Sequence, residues 1–204
     1  MDDRAGVLLE ADAEADPLEQ FRRWYADAGA AGIRAPHAMA LATATPGGIP
    51  AVRMVLMKDV DERGFVFYTG YVSRKGAELD QNPAAALLFY WDPLGRQVRV
   101  DGRVERVSTE ESDEYFATRP RGAQLAASAS RQTEVLSGRE ELDTRVAELE
   151  REYAGAEVPR PEHWGGYRLR PETYEFWQHR GDRLHDRLRY RRDGDSWKIE
   201  RLSP

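Results

Sequence analysis

A mainly β domain with peripheral helices is the fold class this sequence predicts. Strand-period segments crowd both ends of the chain, helical segments are inserted between them, and no strand–helix–strand alternation runs through the middle. This pattern implies a largely antiparallel sheet or barrel and argues against a doubly wound parallel one.

The first helix is signalled at Asp16-Pro17-Leu18-Glu19, with Asp as N-cap and Pro at the first helical position. Leu18, Phe21, Trp24, Tyr25 and Ala28 then recur at helical spacing as far as Gly32. From Ala38 the period changes to two. Strands over 38–45 and 49–57 flank the hairpin turn Pro46-Gly47-Gly48, and a strand over 64–69 follows the turn Asp61-Glu62-Arg63. Ser73 is placed to cap a short helix ending near Asn82-Pro83, and strands over 84–92 and 96–107 flank Asp92-Pro93-Leu94-Gly95. Ser108-Thr109-Glu110-Glu111 and Ser137-Gly138-Arg139-Glu140 read as capping boxes that open two more helices. Pro159 and Pro161 mark a loop over 155–163. The end returns to strands at 164–170, 172–178, 183–191 and 196–201, the last after the turn Asp193-Gly194.

The length of 204 residues suits one large domain or two small ones, and no internal repeat divides it. Residues 1–20 hold seven acids against Arg4 alone, while the rest of the chain has as many acids as bases. Residues 1–16 are expected to form an acidic, mobile tail, with a single domain over 17–204. A neutral body argues against nucleic acid as the main partner. The absence of cysteine removes disulfides, thiolate metal sites and thiol nucleophiles. No apolar run reaches the ~20 residues of a membrane span, and no signal peptide opens the chain. The expectation is a cytoplasmic protein that binds neither membrane nor nucleic acid.

Common catalytic motifs are missing, among them the glycine-rich dinucleotide and phosphate loops and the nucleophile elbow. His37, His163, His179 and His185 are scattered without metal-ligand spacing, so no metal is expected. Three segments carry possible chemistry. In an extended strand Arg183, His185 and Arg187 share one face, continued by Arg189 and Arg191, with Leu184, Leu188 and Tyr190 on the other. That strand either leaves its charges in water or forms a cationic wall for an anionic, planar ligand. In Arg53-Met54-Val55-Leu56-Met57-Lys58 the two bases point to opposite faces, as gatekeepers of a sheet edge or as contacts to two adjacent ligands. Tyr68-Thr69 followed by Ser73-Arg74-Lys75-Gly76 suits a phosphate, because bases in the first turn oppose the helix dipole unless an anion sits there. A weaker signal is Tyr115-Phe116-Ala117-Thr118-Arg119-Pro120-Arg121 at a helix end.

Taken in order, these segments resemble the pyridoxamine/pyridoxine 5′-phosphate oxidase family. The likeness runs from about Pro17 to Pro204 and adds Arg96-Gln97-Val98, Ser130-Arg131-Gln132-Thr133, Trp164-Gly165-Gly166, Glu175-Phe176-Trp177-Gln178, Arg183-Leu184-His185-Asp186-Arg187 and Glu200-Arg201-Leu202-Ser203-Pro204. The resemblance implies an FMN-binding split β-barrel that forms a homodimer, with FMN in the cleft between subunits. By position, Arg53, Met54, Val55, Leu56, Lys58, Tyr68, Thr69, Arg74, Lys75, Gln97, Gln132, Thr133, Trp177 and Arg187 would hold FMN. Lys58, Tyr115, Arg119 and Ala123 would surround the substrate phosphate; Arg183, Leu184 and His185 would face its pyridine ring, Arg183 and His185 as the catalytic pair. Arg53 and Lys58 would then serve two different ligands.

Three positions depart from the family pattern. Ala123 stands where the family's R-P-x-x-S-Q segment has Ser, at a cost on the order of 1 kcal/mol in one lost hydroxyl contact. Residues 124–130 are smaller than the usual Gln-x-Gly-Ala-Trp-x-Ser, and residues 1–16 hold no counterpart of an Arg-x-x-Tyr arm. The implied activity is oxidation of pyridoxine or pyridoxamine 5′-phosphate to pyridoxal 5′-phosphate, with dioxygen as acceptor and peroxide released. The rivals are an oxidase of another aromatic substrate, as in phenazine biosynthesis, and a non-catalytic binder of FMN or pyridoxal phosphate.

Overall fold

In the structure, a computed structural model that describes residues 6–204, Asp16 caps α1 (Pro17–Ala30) by accepting from the Leu18 amide at 2.8 Å. That start turns Leu18, Phe21, Trp24 and Ala28 onto one buried face. The Phe21 ring meets Phe65, Phe89 and Trp91 at centroid distances of 4.9, 5.0 and 6.1 Å. Burying side chains of this size stabilises by roughly 1.5–3 kcal/mol each, so α1 is a structural part of the barrel core.

Among the described residues there are nine strands, all paired antiparallel. They are β1 (Ala38–Ala44), β2 (Pro50–Leu56), β3 (Asp59–Asp61), β4 (Gly64–Gly70), β5 (Ala84–Trp91), β6 (Arg96–Arg106), β7 (Trp164–Gln178), β8 (Asp186–Asp193) and β9 (Ser196–Arg201). The sheet order is β2-β1-β5-β6-β7-β4-β3, with β8 on β7 and β9 on β8. The sheet curls until the chain leaving β2 meets β4, where the Lys58 amide donates to the Val66 carbonyl at 2.8 Å. The mainly antiparallel, mainly β expectation holds.

Segments 164–170 and 172–178, expected as two strands, are one. Pro171 removes a ladder donor, but a register shift between Asp101 and Gly102 absorbs it. β7 runs along β6 and pairs β4 through its first half and β8 through its second. The short β3 is absent from the sequence reading.

Ser73 and Ser108 cap α2 (Arg74–Gln81) and α3 (Thr109–Ala117) as expected. α4 (Arg121–Ala129) follows with Pro120 as N-cap and no side-chain cap bond. The box expected at Ser137 does not form. Gly138 is the N-cap of α5 (Arg139–Glu152), and the Ser137 amide and hydroxyl donate to Glu141 instead.

One further expectation is corrected. β8 starts at Asp186 and not at 183, because Asp182 and Arg183 adopt left-handed φ of 53° and 62° in a tight turn over Gly181–Arg183. Period-two alternation fails across such residues, so Arg183 and His185 do not share a strand face with Arg187. Leu188 and Tyr190 are buried, but Leu184 is 70% exposed. The acidic N-terminal segment is bonded to the barrel over its described part; residues 1–5 of the expected tail lie outside the described residues. The Leu8 amide donates to Asp186 at 3.2 Å, and Arg201 joins the Leu8 carbonyl, Glu10 and Asp186 at 2.8 Å each. That arginine holds the Glu10 carboxyl down at about 2. The Tyr190 hydroxyl donates to the Glu14 carbonyl at 2.8 Å.

Gly64 begins β4 at φ 133°, and a Cβ there would stand 2.0 Å from the Leu169 carbonyl oxygen. Gly64→Ala adds backbone strain to a steric clash and should destabilise by roughly 2–6 kcal/mol. The measurement is the urea midpoint at unchanged slope.

Candidate functional site

β2, the end of β4, the start of α2, α3, α4 and the residue-132 turn enclose a cavity of about 510 Å³. From the expected flavin set it is lined by Met54, Val55, Leu56, Lys58, Tyr68, Thr69, Lys75 and Gln132. Lys58, Tyr115, Arg119 and Ala123 of the expected substrate set line it too.

Of the lining residues, Lys75 belongs to a cationic cluster whose other members, Arg53 and Arg74, lie outside the lining. Arg53 points inward from β2 and donates to Thr43 at 2.5 Å and to Glu78 at 3.1 Å. Arg74 reaches the other oxygen of the same carboxylate at 2.8 Å. Glu78 is 5% exposed and its pKa is lowered, first by the Thr43 hydroxyl and then by the two arginines. Among the described residues no carboxylate pairs with Lys75. Its ammonium donates to Thr69 (2.9 Å), Ser73 (3.2 Å) and Gln132 (2.6 Å). Burial, with Arg53 nearby, pushes its pKa down to about 8. Two cations thus share one anion and the third has none, leaving two positive charges in excess at a helix N-terminus. Thr133, held at φ 78°, accepts from the Arg74 amide at 3.1 Å and ties this corner to the turn after α4.

Part of the cavity lining is aromatic. Tyr68 stacks on Tyr115, at 3.9 Å between centroids, and on Trp164, at 5.5 Å, and these two lie 6.3 Å from each other. Gly166 leaves room for this packing, since a Cβ there would stand 2.5 Å from Val107 and 2.8 Å from the Tyr68 ring. Burial raises the Tyr68 phenol to about 12, so it remains a neutral donor. The Arg119 guanidinium lies 4.6 Å over Trp164, and its Nη1 is buried without a hydrogen-bond partner. Burial lowers its pKa.

The remaining expected residues form a second cluster outside this cavity. Gln97, Trp177 and Arg187 are register neighbours across β6, β7 and β8. Arg187 donates to Glu175 at 2.9 Å, and Glu175 also meets Arg99 at 3.0 Å. His185 packs 4.5 Å from Trp177, and Arg183 and Leu184 belong to the turn before it. The outer face of β2, β1 and β5 carries exposed apolar side chains, with Val52 and Met54 70% and 65% exposed and Tyr90 also partly exposed.

Sequence reasoning misses Glu78 and Trp164 as parts of the site. The i, i+4 spacing of Arg74 and Glu78 was the available signal for the first. Trp164 lies in a segment that the resemblance picks out, but its place in the site depends on stacking partners distant in sequence.

The pyridoxamine 5′-phosphate oxidase family matches residues 25–153, and the pyridoxine 5′-phosphate oxidase C-terminal dimerisation region matches residues 164–204. The chain belongs to the pyridoxamine 5′-phosphate oxidase family. Among family members, the pyridoxine/pyridoxamine 5′-phosphate oxidase of Rubrobacter xylanophilus is 60% identical over 201 residues, covering 98% of this chain and 92% of its own. The enzyme of the same name from Thermosynechococcus vestitus is 56% identical, covering 100% and 96%. The structure of PhzG from Burkholderia lata, in complex with tetrahydrophenazine-1-carboxylic acid, superposes with a TM-score of 0.92 at 39% identity, covering 98% of this chain and 100% of that one. An FMN-binding protein from Nostoc punctiforme, 16% identical with a TM-score of 0.73, shares the fold and covers 94% of this chain and 100% of its own.

Proposed function

We propose that this chain is an FMN-dependent oxidase that converts pyridoxine or pyridoxamine 5′-phosphate to pyridoxal 5′-phosphate, working as a homodimer. The observation that carries the reading is Lys75 on the wall of the cavity, a half-buried ammonium with only neutral partners, beside Arg53 and Arg74. The two positive charges in excess match the dianionic phosphate of FMN. When bound, FMN supplies the hydride acceptor and passes the electrons to dioxygen, releasing peroxide.

The residues of the chain bind and orient. Arg53, Arg74, Lys75, Thr69, Gln132 and Thr133 hold the flavin phosphate corner, and Met54, Val55, Leu56 and Tyr68 line the cavity beside it. Lys58, Tyr115 and the unpartnered Nη1 of Arg119 take the substrate phosphate at the aromatic part of the lining. A partner docked on the outer face of β2, β1 and β5 brings its own second cluster, with Gln97, Trp177 and Arg187 for flavin and Arg183, Leu184 and His185 for the pyridine ring. Closing the cleft in this way excludes water and strengthens each charge-assisted bond.

The deciding experiment is anaerobic mixing of the purified yellow protein with each phosphorylated vitamer while flavin absorbance is followed. Bleaching is expected with both. A flavin that stays oxidised would transfer the assignment to another aromatic substrate, a reading favoured by the small Ala123 and the likeness to PhzG. Ala123→Ser should lower KM several-fold at nearly constant kcat, since the added hydroxyl bonds the phosphate in ground and transition state alike. Steady-state peroxide production reads both constants.

Phosphate binding should also depend on pH. An anion favours the charged form of Lys75. Below about pH 8 the ammonium is already protonated and affinity is flat. Above it, binding must take up a proton, so FMN affinity falls by up to tenfold per pH unit. Fluorescence titration of the apoprotein between pH 7 and 9.5 measures the slope.

A further inference from the structure

Arg168 is 2% exposed and sits in the middle of the sheet, paired with Val66 of β4 on one side and Glu105 of β6 on the other. Its neighbours Tyr167 and Leu169 belong to the barrel core, so alternation turns Arg168 to the opposite face, toward α3. There its guanidinium donates to Asp61 at 2.7 Å and to Glu111 in the first turn of α3. Stability alone is a poor reason for an ion here. Desolvating buried charges offsets much of their attraction, and a well-packed apolar side chain serves such a position about as well.

What the ion pair fixes is the seat of α3. Glu111 is tied at three points. Its amide donates to the Ser108 hydroxyl at 3.1 Å, its carbonyl accepts from the Tyr68 hydroxyl at 3.4 Å, and its carboxylate meets Arg168. The next residue, Ser112, is 1% exposed and accepts from the Gly166 amide at 3.2 Å. One turn further on, Tyr115 stacks on Tyr68, and Arg119 follows where the helix ends, its amide donating to the Phe116 carbonyl at 3.1 Å. Two side chains assigned above to the substrate phosphate thus extend from a helix whose first turn is fastened to β7. A small slide or rotation of α3 would displace both from the phosphate.

We infer that Arg168 is a positioning residue for the substrate phosphate, acting through Glu111 and α3 on Tyr115 and Arg119. This rests on the oxidase reading above. The cationic corner assigned to the flavin phosphate is built from β2, α2 and the residue-132 turn, and both partners of Arg168 lie outside it. Loss of Arg168 should therefore weaken phosphate recognition and spare flavin binding. Arg63, 2.7 Å from Asp61 and 3.8 Å from Glu111, still faces both carboxylates when Arg168 is replaced, which favours a folded variant.

The test compares flavin-loaded dimers of the parent and Arg168→Met. Calorimetry measures the binding of pyridoxal 5′-phosphate and of pyridoxal, and peroxide assays give KM and kcat for the vitamers. Kd and KM for the phosphorylated forms should rise about 5- to 20-fold, with the unphosphorylated forms, kcat and FMN content near the parent. Arg168→Lys keeps a cation in reach of one carboxylate and should recover part of the loss. Glu111→Gln leaves the other ties of α3 in place and should show the same pattern in milder form. Equal weakening of phosphorylated and unphosphorylated ligands, or flavin loss in step with it, marks a general structural role and overturns the inference. So does a folded Arg168→Met with parental affinity for pyridoxal 5′-phosphate, or a parent that binds it no better than pyridoxal. If Arg168→Met does not fold, Glu111→Gln carries the same comparison, and parental phosphate affinity there overturns the inference. If no vitamer phosphate reduces the parent flavin, the oxidase reading fails, while the calorimetric pair still decides the role of Arg168.

Discussion

Val52→Glu is expected to yield a folded monomer that has lost its flavin. Val52 sits on the outer face of β2 opposite Ala42, in the apolar patch that includes Met54 and Tyr90. In a two-fold interface the substitution counts twice, placing two unpaired carboxylates where apolar surface is to be buried. Each costs several kcal/mol, enough to dissociate a dimer of ordinary affinity. The outer face of the monomer is open to water, so circular dichroism should be unchanged. Sedimentation should move to the 23.2 kDa monomer, and absorbance at the flavin bands should fall with it. A monomer that keeps one flavin per chain would refute the shared site.

Lys75→Met and Arg119→Ala are expected to fail in different ways. Removing Lys75 deletes a charge-assisted bond worth roughly 1.5–3 kcal/mol, so FMN affinity should drop about 10- to 150-fold. The apoprotein should remain as stable as the parent, because the ammonium is desolvated there without a counter-charge. Arg119 stacks on Trp164 in the aromatic part of the lining. Arg119→Ala should leave flavin bound and raise KM for the phosphorylated vitamers by a similar factor, with less effect on their dephosphorylated forms. Equal flavin loss in both variants would show that the division of cations between two ligands is wrong. Equilibrium dialysis of FMN and steady-state peroxide assays separate the outcomes.

Much of this fold is legible because its signals are local. Asp16, Ser73 and Ser108 cap helices within three residues of themselves, and Pro46-Gly47-Gly48 turns a hairpin whose strands alternate cleanly. The missed features lack a local signal or act over distance. α4 is rich in alanine and has no side-chain cap. Pro171 looks like a strand break until Gly102, far away in sequence, takes up the bulge. The left-handed pair Asp182 and Arg183 leaves no compositional trace, so a strand was expected where a turn presents Arg183 and His185. The anchoring of residues 8–10 depends on Arg201 at the other end of the chain. In the site, the cations were legible by type and spacing, whereas their division between a carboxylate-shared pair and a lone Lys75 depends on how closely Glu78 approaches.

The pairing of β6 with β7 has a consequence for how the chain is made. These two strands form the longest ladder in the sheet, yet residues 107–163 separate them. On a ribosome adding roughly 5–20 residues per second, β6 leaves the exit tunnel several seconds before its partner exists. During that interval β1, β2, β5 and β6 form a half-sheet whose inner face, with Met39, Leu41, Leu87 and Val100, is covered only by α1, α2 and a β4 that still lacks its partner strand β7. A nascent chain stalled near residue 160 should therefore bind holdase chaperones strongly, and one stalled well beyond Pro204 should not. Crowded or fast expression would select for aggregation in that window, whatever the stability of the finished barrel.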